Sequence, residues 1–178
     1  AVWYSSALLL LNGLACLCVA FRGPARRWRP LWLVVASGFL AVSADETAQI
    51  HERVGKRIGR AGLSAAYVPA NEPVYNWLMP AIPLAALFTG TLLGASRSWK
   101  RDASRSRSLA LGGMACWVGV LAAELAESQM VRVGMARGLQ GAAEEGLELA
   151  GSTLFLMAFF QALRTPGTDN ASGADEGT

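Results

Sequence analysis

The residues best suited to chemistry lie in one short stretch, residues 44–52, which reads ADETAQIHE. It holds Asp45, Glu46, Glu52 and the only histidine of the chain, His51, and it directly follows the apolar run LWLVVASGFLAVSA. Ionisable groups are costly in hydrocarbon and normally face a bundle interior, a partner or a water-filled cavity. This composition therefore indicates a polar site built into a membrane-spanning segment.

Two later apolar segments also carry acidic residues. Glu124 and Glu127 lie in the run ELAE, and Glu144, Glu145 and Glu148 lie in the run EEGLELAG. Acidic side chains four residues apart share a helix face and repel one another by roughly a few tenths of a kcal/mol even in water. Packing several such faces together requires a bound cation, bound protons or arginine partners.

Oxygen-rich ligation is typical of hard cations. Carboxylates suit Ca²⁺, Mg²⁺ or Mn²⁺, and a histidine ligand adds iron to these candidates. We therefore predict a cation-binding or divalent metal site in the outer half of the membrane bundle. Its candidate ligands are eight acidic residues and the histidine: Asp45, Glu46, His51, Glu52, Glu124, Glu127, Glu144, Glu145 and Glu148.

Several enzyme and cofactor classes lack support in the sequence. A carboxylate-bridged di-iron centre uses a Glu-x-x-His pair on each of two helices, whereas Glu46 and His51 are five residues apart and there is one histidine in all. The HExxH pattern of metalloproteases is missing because Arg-Val-Gly follows Glu52. We predict no haem and no nucleotide cofactor, and the sequence leaves open whether the protein is an enzyme.

The bulk composition identifies the elements that must position these residues. The chain has 178 residues, 53% of them hydrophobic and 16% charged, which is too apolar for an ordinary soluble domain. We predict an all-α, polytopic membrane helical bundle of about five transmembrane helices, forming one domain over residues 1–164. The predicted spans are 1–21, 30–57, 74–95, 109–130 and 139–163, followed by a disordered tail over 165–178.

The basic residues lie between the apolar segments, as membrane topology requires. The loop after the first span, the loop between the third and fourth spans and the tail hold ten of them, and the other two connections hold six. The positive-inside rule then places the N-terminus outside and the C-terminus in the cytoplasm, in a cell membrane that we expect to be a bacterial inner membrane. The predicted partners are the lipid bilayer and other protein chains, in a homo-oligomer or a larger membrane complex, and no nucleic acid.

Helix lengths bring the separate acidic residues to one level. With a rise of 1.5 Å per residue, Asp45, Glu124 and Glu148 lie about 22–24 Å from the cytoplasmic ends of their helices, in a hydrocarbon core of roughly 30 Å. Three helices from distant parts of the chain thus carry acidic residues at a common depth. This coincidence holds for either orientation of the bundle.

Angular spacing assigns residues of the second span to faces, if that span is one continuous helix. At 100° per residue, Asp45, Gln49 and Glu52 share one face, while Glu46 and His51 point away from it on either side. Glycines in the fourth span, at positions 112, 113 and 119, predict a close approach by a neighbouring helix.

These runs resemble a group of small multi-span bacterial membrane proteins that is uncharacterised. The similarity covers roughly residues 30–163, and the runs DExxxxHE and EEGLE are its most distinctive parts. The resemblance implies a five-helix fold and supplies no activity. It also implies a shared acidic site, at Asp45, Glu46, His51, Glu52, Glu144, Glu145 and Glu148.

Three functions are compatible with these observations. The first is a metal or cation site that serves stability or chemistry on a membrane substrate. The second is a proton or cation path in a transporter or channel, which the apolar cytoplasmic halves of the helices argue against. The third is an accessory or assembly subunit whose acidic residues pair with basic ones, such as Glu52 with Lys56. We favour the binding interpretation.

Overall fold

The protein is described here by a computed structural model, which covers residues 2–22, 28–62, 76–97, 99, 104–132 and 140–164. No strand occurs within these ranges, and the predicted all-α helical bundle is confirmed. The predicted tail, residues 165–178, lies outside the described residues. The described residues form six helices: α1 (Val2–Arg22), α2 (Arg29–Ala48), α3 (Ile50–Arg60), α4 (Leu78–Ser96), α5 (Ser104–Arg132) and α6 (Gln140–Arg164).

Four of these helices are long and apolar enough to cross a membrane by length and composition. The qualifying segments are Trp3–Arg22, Arg29–Ala48, Ser104–Ala126 and Gly141–Arg164. A shorter apolar segment, Pro80–Ser96, forms most of α4, near the lower limit of about 17 residues for a span. Large apolar side chains on its outer surface are exposed, including Leu84 and Leu87, as expected for a surface in contact with lipid.

Helix α1 packs between α2 and α6, while α5 packs on α6 and α4 packs on α2. Near one end of the bundle, Ser6 Oγ donates to the carbonyl of Ser43 at 3.0 Å, and Ser43 Oγ donates back to the carbonyl of Ser6 at 2.8 Å. Deeper along α1, Asn12 Nδ2 donates to the carbonyl of Ser152 in α6 at 2.9 Å. Hydrogen bonds of this kind join neighbouring helices in hydrocarbon, and here they connect α1 to both α2 and α6.

Aromatic rings fill the middle of the bundle around Phe39 of α2, which is fully buried. Its ring makes edge-on contacts with Phe88 of α4, Trp117 of α5, and Phe155 and Phe159 of α6, at centroid distances between 5.2 and 6.2 Å. Each such pair contributes about 0.5–1.5 kcal/mol beyond the burial of its area. One side chain therefore ties α2 to three other helices.

Helices α5 and α6 cross with their backbones in close contact. A Cβ atom on Gly113 would lie 2.9 Å from the carbonyl oxygen of Gly151, and a Cβ atom on Gly151 would lie 2.5 Å from Cδ1 of Trp117. A side chain at either position would overlap its neighbours. The close approach predicted for Gly113 is therefore present, and its partner is a glycine of α6.

The predicted second span is interrupted at Gln49. Helix α2 ends at Ala48, Gln49 adopts the left-handed conformation with φ 50° and ψ 44°, and α3 begins at Ile50. This conformation costs a residue with a side chain roughly 1–2 kcal/mol, and the Gln49 N–H offsets part of the cost by donating to the carbonyl of Asp45 at 2.7 Å. The interval 30–57 thus contains two helices where the sequence predicts one.

Candidate functional site

The helix break brings His51 into contact with Asp45. Oδ1 of Asp45 accepts a hydrogen bond from the backbone N–H of His51 at 2.7 Å, and Oδ2 accepts one from Nδ1 of the ring at 2.7 Å. The carboxylate thereby satisfies one of the first N–H groups of α3, which have no partner inside the helix. When neutral, the imidazole carries its proton on Nδ1 and keeps a lone pair on Nε2.

The prediction that His51 points away from the face of Asp45 was wrong. It assumed 100° of rotation per residue through the whole segment, and one left-handed residue at Gln49 breaks that periodicity. The ring of His51 also lies against Trp77, which precedes α4, with the ring centroids 5.1 Å apart. The ring of His51 is therefore held between Asp45 and Trp77.

Carboxylates from α2 and α6 lie at the same end of the bundle. Glu46, Glu144 and Glu145 lie close enough to Glu148 for their charges to act on it, and the hydroxyl group of Ser5 in α1 is a stabilising polar neighbour of that carboxylate. Glu46 and Glu148 are both partly buried. The acidic residues of α2 and α6 thus lie at the same end of the bundle, near the N-terminal end of α1.

Glu46 connects the two parts of this site. Its carboxylate experiences the charges of His51 and Asp45 on the α3 side and interacts with Glu148 on the α6 side. A protonated His51 would attract both Asp45 and Glu46, whereas a neutral ring would leave Glu46 under the repulsion of two carboxylates. The electrostatic environment of Glu46 therefore depends on residues from α2, α3 and α6.

The remaining predicted ligands have other surroundings. Glu52 makes an ion pair with Lys56 on α3 at 3.1 Å, Glu124 is partly buried on α5, and the side chain of Glu127 lies outside the described residues. Within the described part of the chain, no group of three or more His, Cys, Asp or Glu side chains is placed to hold a metal ion.

A family model described as Domain of unknown function (DUF8692) matches residues 1–163 of the chain. The chain belongs to the DUF8692 family. The matched region of this DUF8692 chain includes Asp45, Glu46, His51 and Glu148, and the membership is consistent with the predicted resemblance to an uncharacterised family. No curated protein and no solved structure matches the chain.

In this DUF8692 chain, replacing Asp45 by alanine should loosen the first turn of α3. The change removes both hydrogen bonds to His51, and helix caps contribute about 0.5–2 kcal/mol. We expect amide hydrogen exchange over residues 50–55 to become roughly tenfold faster, because local opening follows the lost free energy. Glu52→Gln is the control, since the exposed pair with Lys56 contributes at most about 1 kcal/mol. Unchanged exchange in Asp45→Ala would show that the carboxylate does not hold the helix start.

Proposed function

We propose that the protein is a multi-pass membrane protein that binds a hydrated divalent cation, Mg²⁺ or Mn²⁺, between Glu46 of α2 and Glu148 of α6. The observation that supports this proposal is that the charge of Glu46 acts on Glu148, although the two partly buried residues are about 100 positions apart in the chain. Like charges repel more strongly where water is scarce. A bound cation would remove that repulsion and link α2 to α6.

The donor atoms fit a hard cation. Carboxylate and hydroxyl oxygens are the ligands that Mg²⁺, Mn²⁺ and Ca²⁺ prefer, and Mg²⁺ usually keeps several waters while one or two carboxylates hold it. Such binding does not need three protein ligands, which agrees with their absence among the described residues. Asp45 is not a direct ligand in this proposal, because both of its oxygens already accept hydrogen bonds from His51.

Titration with Mn²⁺ tests the proposal. Detergent-purified protein is added to Mn²⁺, and binding is measured as the decrease in the electron paramagnetic resonance signal of free Mn²⁺. We expect one Mn²⁺ per chain, displaced by Mg²⁺, and at least tenfold weaker binding in a Glu46→Gln, Glu148→Gln variant. Glu52→Gln is the matched control and should bind as the native protein does. His51→Gln should also retain binding. Absence of binding, or equal binding by the double variant, would rule the cation site out.

A proton shared by Glu46 and Glu148 is the second candidate, favoured by the absence of a third convergent ligand in the described residues. It predicts an infrared band of a protonated carboxyl group that disappears in Glu148→Gln, together with no binding of Mn²⁺. Transport has less support, because the buried rings of Phe39, Phe155 and Phe159 close the middle of the bundle. A role as an accessory subunit would be indicated by partner chains that co-purify in stoichiometric amounts.

Charge distribution supports a location for this site. The excess of basic residues at the opposite end of the bundle supports an orientation with the acidic end and the N-terminus outside and the C-terminus in the cytoplasm, in what we propose is a bacterial inner membrane. A reporter fused after Thr178 that is active only in the cytoplasm checks this orientation. An inactive reporter, with activity recovered from a fusion before Ala1, would reverse it.

A further inference from the structure

Helix α3 divides into an apolar arc and a basic arc. At 100° per residue, Ile50, Val54 and Ile58 fall within about 80° of the helix circumference. The basic side chains fall within a neighbouring arc of about 100°, and all of them are exposed: Arg53, Lys56, Arg57 and Arg60. A helix with this division of residues is typical of segments that lie in the plane of a membrane interface.

The position of α3 in the bundle agrees with that placement. It begins one residue after α2, a helix long enough to span the membrane, so it starts at the level where the hydrocarbon ends. Its remaining arc faces the protein, because Gly55 is buried and His51 contacts both Asp45 and Trp77. The apolar and basic arcs are therefore the surfaces left for the surrounding lipid.

We propose that α3 lies in the headgroup layer and binds the phosphate groups of anionic lipids through its basic arc. The apolar arc is then inserted beside the acyl chains, which explains why Ile50 remains 48% exposed in the isolated protein. Charge complementarity identifies the partner, since four basic residues and one acidic residue make α3 strongly cationic, and anionic headgroups attract such segments next to a span. Arginine also matches phosphate geometry through paired N–H donors. This inference is independent of the cation site.

Fluorescence quenching in lipid nanodiscs tests the placement of α3. A single cysteine is introduced as Ile58→Cys or Lys56→Cys in a variant that lacks Cys16, Cys18 and Cys116. The cysteine is labelled with a fluorophore, and the nanodiscs contain lipids that carry a quencher on the acyl chain. We expect the label at Ile58 to be quenched at least twofold more than the label at Lys56. Equal quenching at both positions would overturn the proposal that the apolar arc is inserted.

The lipid composition of the nanodiscs tests the headgroup partner. Quenching at Ile58 should increase when phosphatidylglycerol replaces part of the phosphatidylcholine, and R53Q/R57Q/R60Q should lose that dependence. The matched control R22Q/R105Q/R107Q removes the same charge from exposed positions on α1 and α5 and should keep it. Quenching that is the same in both lipid mixtures, or the same loss in both triple variants, would overturn the proposal. Inorganic phosphate added to phosphatidylcholine nanodiscs should not substitute for the anionic lipid.

Discussion

Phe39→Ala is expected to lower the free energy of unfolding by about 3 kcal/mol, because it leaves a cavity and removes edge-on contacts with four rings. The ring of Phe39 touches aromatic side chains of α4, α5 and α6, so its loss loosens three helix contacts together. Van der Waals packing is a principal force between helices in lipid, where no gain from leaving water is available. Titration with SDS in mixed micelles measures the change.

Phe160→Ala is the matched control for this effect. Phe160 lies in α6 next to the buried Phe159 but is 50% exposed, so its ring faces lipid in the assembled bundle. Its truncation should cost less than about 1 kcal/mol, since surface substitutions away from packed contacts have small effects. Similar losses for Phe39→Ala and Phe160→Ala would show that the aromatic core does not hold the helices together.

Gly151→Ala should cost about 1–3 kcal/mol, the usual penalty for overpacking a filled site. The new methyl group would lie 2.5 Å from Cδ1 of Trp117 and 3.0 Å from Cβ of Cys116. Neither atom is at the end of a flexible side chain, so α5 and α6 would have to separate. The same SDS titration measures the loss of stability. Fluorescence resonance energy transfer or a disulfide cross-link between α5 and α6 measures the change in their separation.

Gly146→Ala, one and a half turns earlier in α6, separates the packing effect from helix propensity. Nothing lies within 4 Å of a Cβ atom built on Gly146, and alanine favours a helix over glycine by about 1 kcal/mol. We therefore expect Gly146→Ala to be neutral or stabilising. A comparable loss in both variants would mean that the close contact at Gly151 is not a determinant of stability.

The packed core and the acidic site lie at different levels of the same helices, which has consequences for both. Phe155 and Glu148 are two turns apart on α6, and Phe39 and Glu46 are two turns apart on α2. The aromatic contacts therefore limit how far apart α2 and α6 can lie, and the distance between Glu46 and Glu148 depends on that separation. A cation that binds between the carboxylates would stabilise the folded bundle by mass action. At concentrations above the dissociation constant, the free energy of unfolding would rise with the logarithm of the cation concentration.

Much of this arrangement follows from the sequence alone. Apolar runs of about 20 residues with polar connections specify helices that can cross a membrane, because a backbone in hydrocarbon must satisfy its own hydrogen bonds. Helix rise then places Glu46 and Glu148 at similar depths, and a glycine such as Gly113 marks a position where two helices can approach closely. These conclusions need only chain length and helix geometry.

The tertiary structure decided which residues of that common level touch one another. Periodicity places Asp45 and His51 on different faces, yet they form two hydrogen bonds, because Gln49 adopts a left-handed conformation that nothing in the local sequence marks. Depth alone does not choose the neighbours of α2, and contact through α1 selects α6 as the helix whose Glu148 lies near Glu46. Side-chain direction depends on every preceding backbone angle and on which helices pack side by side, whereas depth depends only on the number of residues.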